Sequence, residues 1–464
     1  MRSSARSPLI MRYTRLILLL LLLCSTALHA TVRTEYGDST KTHVFTLGAN
    51  LWTRGEYMQG ALPNADADFA AFIRERTRLT VNYKQPFLEV QITAQHAGVW
   101  GSTGGGSFSL SDAWAKVDYK GAFMQLGRQP LTYDDERVIG LDDWSMTGAW
   151  HDALKLGYEG FGHKIHLWGA YNQNFENTDG GTRYLNGSQV YKNMEGLWYH
   201  YDFPRWFSGS LLFLNTGMQS AMLDSVGQRE DKTYYQQMLG TYWRFHYDAN
   251  ANANANANAN AHWWIDIDAS FYYQLGRTEG NVPINAWMAA VDFRAKANDW
   301  IQFNTGYFHL SGDENYTVPP VGGMGLQRYT QDHSFNLLHG SKHQFYGAMD
   351  FFYLKSFYGG YSPGLQDWHI GTTFTYKDQL SVKAQYHNLA TSVQVKNAPT
   401  LMLGHELELI ANYQPLKWMT VQAGYTFMQG TKTMEMVKRA SDRNQSHWVY
   451  LMLVFNPTFV TVRF

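Results

Sequence analysis

Leu88-Glu89-Val90-Gln91-Ile92-Thr93-Ala94-Gln95 alternates apolar and polar residues without a break. Successive side chains of an extended strand point to opposite faces, so Glu89, Gln91, Thr93 and Gln95 share one face of a half-buried strand. The same period of two runs through Ile265 to Gln274 and Leu380 to His387. It recurs in Glu406 to Tyr413 and in Ala289 to Ala297, where Asp292, Arg294 and Lys296 oppose Val291 and Phe293. No helical period follows residue 30. The sequence therefore reads as strands from end to end.

Composition narrows the class. The 464 residues are 16% aromatic and only 17% charged, against roughly 25% charged in soluble domains. So many aromatic residues exclude disorder, and a single cysteine excludes a disulfide framework. A soluble sandwich or propeller would also alternate, but would solvate its polar face with more charge. Tight turns at Asp202 to Trp206, Ala297 to Trp300 and Gln414 to Lys417 contrast with long polar segments at 174–193, 311–340 and 429–446. Short turns on one side, long loops on the other and aromatic residues near strand ends point to a transmembrane antiparallel β-barrel of the outer membrane. The alternating Val460-Thr461-Val462-Arg463-Phe464 fits the signal read by the barrel-assembly machinery. At about 24 residues per strand with its share of loop, the chain predicts 16 to 18 strands, with 18 favoured. A barrel of that width encloses an aqueous lumen.

Residues 1–30 read as a secretory signal peptide, with Arg2, Arg6, Arg12 and Arg15 before Leu16 to Leu23 and the small-residue exit Ala27 to Ala30. Cys24 would be acylated in a lipoprotein, but the bulky Leu23 stands where such a site expects a small residue. The net charge of −1 becomes more negative once the four arginines leave with the leader. Residues 31–464 form the barrel. Ala249 to Ala261 is a pure Ala-Asn repeat, read as an expanded connection.

On Ile73 to Asn82, Arg74, Arg76, Arg78, Thr80 and Asn82 share a face against Ile73, Thr77, Leu79 and Val81. An arginine facing lipid near the midplane costs about 2–4 kcal/mol, so the ladder must face the lumen or its mouth. Fixed positive charge in a narrow pore favours anions, and guanidinium grips carboxylate bidentately. Arg128, Lys155, Arg294 and Lys383 are further lumen candidates by phase or motif. Glu89, Asp266, Asp268, Asp292, Glu406 and Glu408 could pair with them across the lumen. Asp134, Asp135, Glu136, Asp142 and Asp143 offer carboxylates to a hard cation, without EF-hand spacing, and read as a solvated acidic loop. There is no His-Glu-x-x-His and no Gly-x-Ser-x-Gly, and Gly101 to Ser107 lacks the lysine of a phosphate-binding loop. No catalytic residue, metal ligand, cofactor or nucleic-acid partner is assigned.

Leu126-Gly127-Arg128-Gln129-Pro130-Leu131-Thr132-Tyr133-Asp134-Asp135-Glu136-Arg137-Val138-Ile139-Gly140, with Asp143-Trp144 and Asp152 to Leu156, resembles the alginate-export family of outer-membrane barrels. So do Ser334 to Gly340 through His343, Gly347, Met349-Asp350 and Phe351 to Tyr353. Gly364 to Asp367, Tyr386 to Leu389, Gly404 to Glu406 and Trp448 to Pro457 extend the likeness to most of the chain. The resemblance implies a monomeric barrel of 18 strands that passes an acidic polysaccharide by diffusion through an arginine-lined constriction. The sequence departs from that pattern at Gly148-Ala149-Trp150-His151, where an arginine is expected before the aspartate. The expected function is a passive channel for an anionic saccharide such as alginate or oligouronate, or related small solutes. Its partners would be that solute and the outer-membrane lipid. A surface adhesin using the long loops, or a barrel-embedded lipid hydrolase, would share the strand pattern.

Overall fold

The computed structural model describes residues 35–37, 42–59, 69–173, 176, 178, 189–223, 226–227, 230–249, 263–314, 330–352, 362–438 and 445–464. Residues 1–30, which read as a leader in the sequence, and most of the Ala-Asn repeat lie outside them. The strands are β1 (Glu35–Gly37), β2 (Val44–Gln59), β3 (Ala70–Gln85), β4 (Leu88–Val99), β5 (Ser107–Tyr119), β6 (Ala122–Gln129) and β7 (His151–Gly160). There follow β8 (His163–Tyr171), β9 (Asn193–Asp202), β10 (Phe207–Gln219), β11 (Thr233–Asp248), β12 (Trp264–Arg277), β13 (Pro283–Asn298) and β14 (Ile301–Leu310). The last are β15 (Leu365–Tyr376), β16 (Leu380–Ala390), β17 (Met402–Leu416), β18 (Met419–Gly430), β19 (Gln445–Phe455) and β20 (Thr458–Arg463). A single α-helix among the described residues, α1 (Lys432–Lys438), lies between β18 and β19.

From β2 to β19 each strand pairs antiparallel with the next, and β19 pairs with β2 as well as β18. After Asn456-Pro457 the chain resumes along β2 as β20, so β19 and β20 are one stave broken by a proline that cannot donate to the ladder. The wall is therefore a closed antiparallel barrel of 18 staves, the number favoured from the sequence. The short β1 lies parallel to β20 outside the ring order.

The tight turns all fall at the end where Val44 faces Arg463. Asp248 and Trp264, which flank the Ala-Asn repeat in the chain, pair at this same end. The long connections share the other end.

Alternation sorts the two faces. On β4, Thr93 and Gln95 are buried inside the wall while Ile92 is 48% exposed outside it. Leu126, Leu167, Leu211, Leu239, Val291 and Leu451 continue that apolar exterior. Aromatic pairs border it at the turn end, such as Phe87 with Tyr119 at 5.8 Å and Trp300 with Phe374 at 5.8 Å. At the loop end Tyr57 stacks on Phe69 at 5.2 Å and Phe271 on Trp287 at 6.3 Å. Amphipathic rings suit the headgroup level of a bilayer.

The expectation of a water-filled lumen needs correction. A buried apolar cluster lies inside the ring, formed by Leu131, Val138 and Ile139 of the β6–β7 loop and Phe335, Leu337 and Leu338 of the β14–β15 loop. These pack against inward wall residues such as Met238, Ile284 and Met288. A wide ring leaves more space than its own inward side chains fill, and here the two loops supply the missing apolar volume.

Ile92→Arg should lower the unfolding free energy in phospholipid vesicles by about 2–4 kcal/mol, read by denaturant titration. A change under about 0.5 kcal/mol would contradict the outward assignment of this face.

Candidate functional site

The site is built from two loops that enter the barrel and from the wall that receives them. The β6–β7 loop (residues 130–150) and the described part of the β14–β15 loop (residues 311–314, 330–352 and 362–364) pair with each other through a parallel bridge between Ile139 and His339. Gly140 N–H donates to His339 O at 2.9 Å, and His339 N–H donates to Val138 O at 3.0 Å. Ser341 N–H donates to Glu136 O at 2.9 Å, while its hydroxyl donates to the Glu136 carboxylate at 2.6 Å. Gly340 is needed for this approach, since a Cβ there would stand 2.1 Å from Arg137 O. Trp144 lies flat on His343 with centroids 4.0 Å apart, a second tie between the loops.

The arginine ladder receives the first loop. Arg74, Arg76 and Arg78 lie on the inner face of β3, opposite Arg54, Trp52 and Asn50 of β2. Arg76 is 1% exposed and donates to Asp143 O at 3.0 Å, Ser145 O at 3.3 Å and the Asp143 carboxylate at 3.1 Å. Arg78 donates to Asp143 Oδ1 at 2.7 Å and to Gln95 Oε1 at 2.6 Å, and Gln95 in turn donates to Thr147 O at 3.1 Å. Arg54 sits over the Trp144 ring at 3.9 Å and pairs with Glu56. A guanidinium removed from water needs acceptors around it, and the loop carbonyls and Asp143 provide them. The ladder grips the loop more than it offers charge to a solute. Arg74, 3.5 Å from Glu56, keeps the most exposure of the three.

The other candidates divide. Arg294 faces inward from β13, bonded to Asp268 and 3.5 Å from Asp266. Lys383 faces inward from β16, 3.9 Å from Glu408. Lys155 also faces inward, near Lys116 and Phe123, with no ion pair among the described residues. Arg128 is on the other face. It follows Met124 and Leu126 on the outward phase of β6, makes a bidentate pair with Asp152 at 2.8 Å through both nitrogens, and stacks over Trp150 at 3.6 Å. Its assignment to the lumen is corrected accordingly. The pair serves the outer rim, where neutralised charge and an aromatic cover limit the cost of facing lipid.

The acidic run at 134–143 is not a solvated loop. Asp134 accepts from Trp198 Nε1 at 2.9 Å and Ser210 Oγ at 2.6 Å, and burial pushes its carboxyl up to about 6. Asp135 pairs with Arg137 at 2.8 Å, Glu136 with Ser341, and Asp143 with the ladder. The carboxylates diverge to separate partners and do not converge on a cation.

Residues missed from the sequence complete the site. Arg137 bridges Asp135 to Asp292 of the wall, 2.8 Å from each, between the rings of Phe308 and Phe345. Arg244 of β11 donates to Asp266 at 2.8 Å. Arg137 was inside the quoted motif, and Arg244 sits in phase on an alternating strand, but their acidic partners appear only with the register. Below the loops a cavity of about 690 Å³ is lined by Arg137, Arg244, Arg294, Lys383, Asp292 and Glu408 among others. Lys155 is not among its walls.

The barrel superposes on Pseudomonas aeruginosa OccK3 (OpdO) with a TM-score of 0.56 at 13% identity, covering 89% of this chain and 96% of that one. Its fold is that of the OprD-family outer-membrane channels. Acinetobacter baumannii OccAB4 matches with a TM-score of 0.58 at 12% identity over 91% of this chain and 100% of that one. Pseudomonas aeruginosa OccD3 (OpdP) matches at 0.56 and 12%, over 94% and 96%. At such identities the likeness is one of fold alone. No protein-family model and no curated protein matches the chain.

A double-mutant cycle on Arg76→Ala and Asp143→Ala should give a coupling of about 1–3 kcal/mol in unfolding free energy. Additivity within about 0.3 kcal/mol would show that the pair does not clamp the loop.

Proposed function

We propose that the chain is a passive diffusion channel of the outer membrane for small solutes that carry carboxylate, acidic saccharides among them. The observation that carries this is an asymmetry within the ion pairs of the lumen. Arg244 is 42% exposed and Arg294 38%, whereas their partners Asp266 and Asp268 are 7% and 10% exposed. Lys383 at 39% stands over Glu408 at 7% in the same way. In these three pairs the acids are tucked against the wall and the bases face the space a solute would enter, whereas Arg137 is the buried member of its pairs with Asp135 and Asp292. A solute would meet a basic surface even though the formal charges nearly balance, and a low-dielectric wall strengthens that field.

The size of the cavity supports small solutes, since about 300–1,000 Å³ is the range of small-molecule sites. The two loops packed into the lumen argue against a bulky polymer. An oligouronate of alginate type remains the solute suggested by the resemblance at residues 126–156. Passage needs no cofactor and has no intrinsic direction, so any net flow follows the gradient. The outer-membrane location rests on the likeness to the Occ barrels, the apolar exterior and the leader-like N-terminus. A single barrel per functional unit is part of this reading.

In planar bilayers under a salt gradient the reversal potential should show anion preference, and added oligouronate should block the current. Arg244→Gln with Lys383→Gln should lower the anion/cation permeability ratio several-fold without loss of the folded barrel. An unchanged ratio, or a cation-selective parent, would overturn the assignment.

A further inference from the structure

Asp367 and His369 alternate onto the inner face of β15, and His387 lies directly opposite His369 on β16. All three are buried, Asp367 completely. One donor atom from each lies within 4.8 Å of the donor atoms of the other two.

The hydrogen bonds around them have a consistent sense. His387 turns Nε2 toward the Glu408 carboxylate at 3.3 Å and Nδ1 toward the Asp367 carboxylate at 2.9 Å. His369 turns Nε2 toward the Asp292 carboxylate at 3.2 Å, and its Nδ1 is buried with no hydrogen-bond partner. A neutral imidazole carries one N–H. If each Nε2–H donates to its carboxylate, both Nδ1 atoms present lone pairs, and that of His387 faces the Asp367 carboxylate. Two lone-pair-bearing groups do not approach to 2.9 Å without a positive charge to share. Binding one nitrogen to metal while the other donates to a carboxylate is the usual arrangement of ligating histidines.

We propose that Asp367, His369 and His387 form a binding site for a divalent transition-metal ion of zinc type, with Glu408 and Asp292 as the carboxylates that orient the two imidazoles. Two imidazole nitrogens and one carboxylate suit zinc and its neighbours in the first transition row, whereas calcium and magnesium take oxygen ligands. Bonds of about 2.0–2.1 Å require the three donors, which lie within 4.8 Å of one another, to draw in around a common point. A protonated His387 alone would satisfy Asp367 and Glu408, but would leave His369 Nδ1 without a partner. The two orienting carboxylates also hold the inward loops. Asp292 accepts from Arg137 at 2.8 Å, and Glu408 accepts from Ala348 N–H at 2.9 Å. Metal at this point would tie the wall to both loops at the edge of the lumen cavity.

The test is calorimetric titration of Zn²⁺ into the folded, chelator-treated barrel in detergent, with folding checked by heat-dependent electrophoretic migration. One saturable equivalent is expected, weakened about 100-fold or more in both His369→Gln and Asp367→Asn. Lack of saturable binding, or binding unchanged in both variants, would overturn the site. Should the variants fail to fold, the X-ray absorption spectrum of the wild-type zinc complex decides. Two imidazole ligands per zinc are expected, and fewer than two would contradict the site. Neither readout depends on solute passage.

Discussion

The seam between β2 and the broken stave β19–β20 is the constraint from which the rest follows. An open sheet of this size would leave two edges of unpaired amides and carbonyls, which lipid cannot satisfy. Closing it pairs His447 through Phe455 with Gln59 through Leu51, and Thr458 through Arg463 with the start of β2. Once the ring is closed, the period of two divides every stave into an apolar exterior and a polar interior. That division places Arg74, Arg76 and Arg78 inside with no choice of side.

A ring of 18 staves is too wide for its own inward side chains to fill, and the two inward loops answer that. They are held by charge as well as by packing. Arg76 and Arg78 hold Asp143 on one wall, while Arg137 reaches Asp292 on another, and each buried guanidinium is surrounded by acceptors or aromatic rings. The loops are thus anchored at separated points, with the paired segment around Ile139 and His339 between them. What remains open is a cavity in which Arg244, Arg294 and Lys383 are more exposed than the acids they pair with. Selectivity in such a lumen depends less on the count of charges than on which member of each pair reaches the space.

Much of this was legible in the sequence, and the limits are physical. Alternation at Leu88 to Gln95 and its repeats identified strands, and turn lengths ordered their ends, because both are local properties. The segments 126–144 and 334–353, which carried the resemblance, are largely the two loops that meet inside the barrel. The first is rich in Asp and resembles a surface connection, so the acidic residues at 134–143 read as solvated. Only the fold shows that Leu131, Val138 and Ile139 bury the same stretch. The motif around Arg128 points to the lumen, whereas its phase from Leu126 puts it on the outer face. Arg244 and the pair His369–His387 depend on the register between neighbouring strands, and Arg54 and Arg137 on where a loop meets the wall, neither of which periodicity carries.

The docking of the two loops within the ring can be tested without reference to any solute. The chain's one cysteine is Cys24, so a pair introduced as Ile139→Cys and His339→Cys reports on the bridge alone. Disulfide geometry demands Cα atoms within about 7 Å. Near-complete disulfide formation in the folded, membrane-inserted protein, with single-channel conductance unchanged by the bond, is the predicted result. A pair that stays reduced under oxidising conditions, or a bond that markedly alters conductance, would mean that the loops do not meet in the lumen as described.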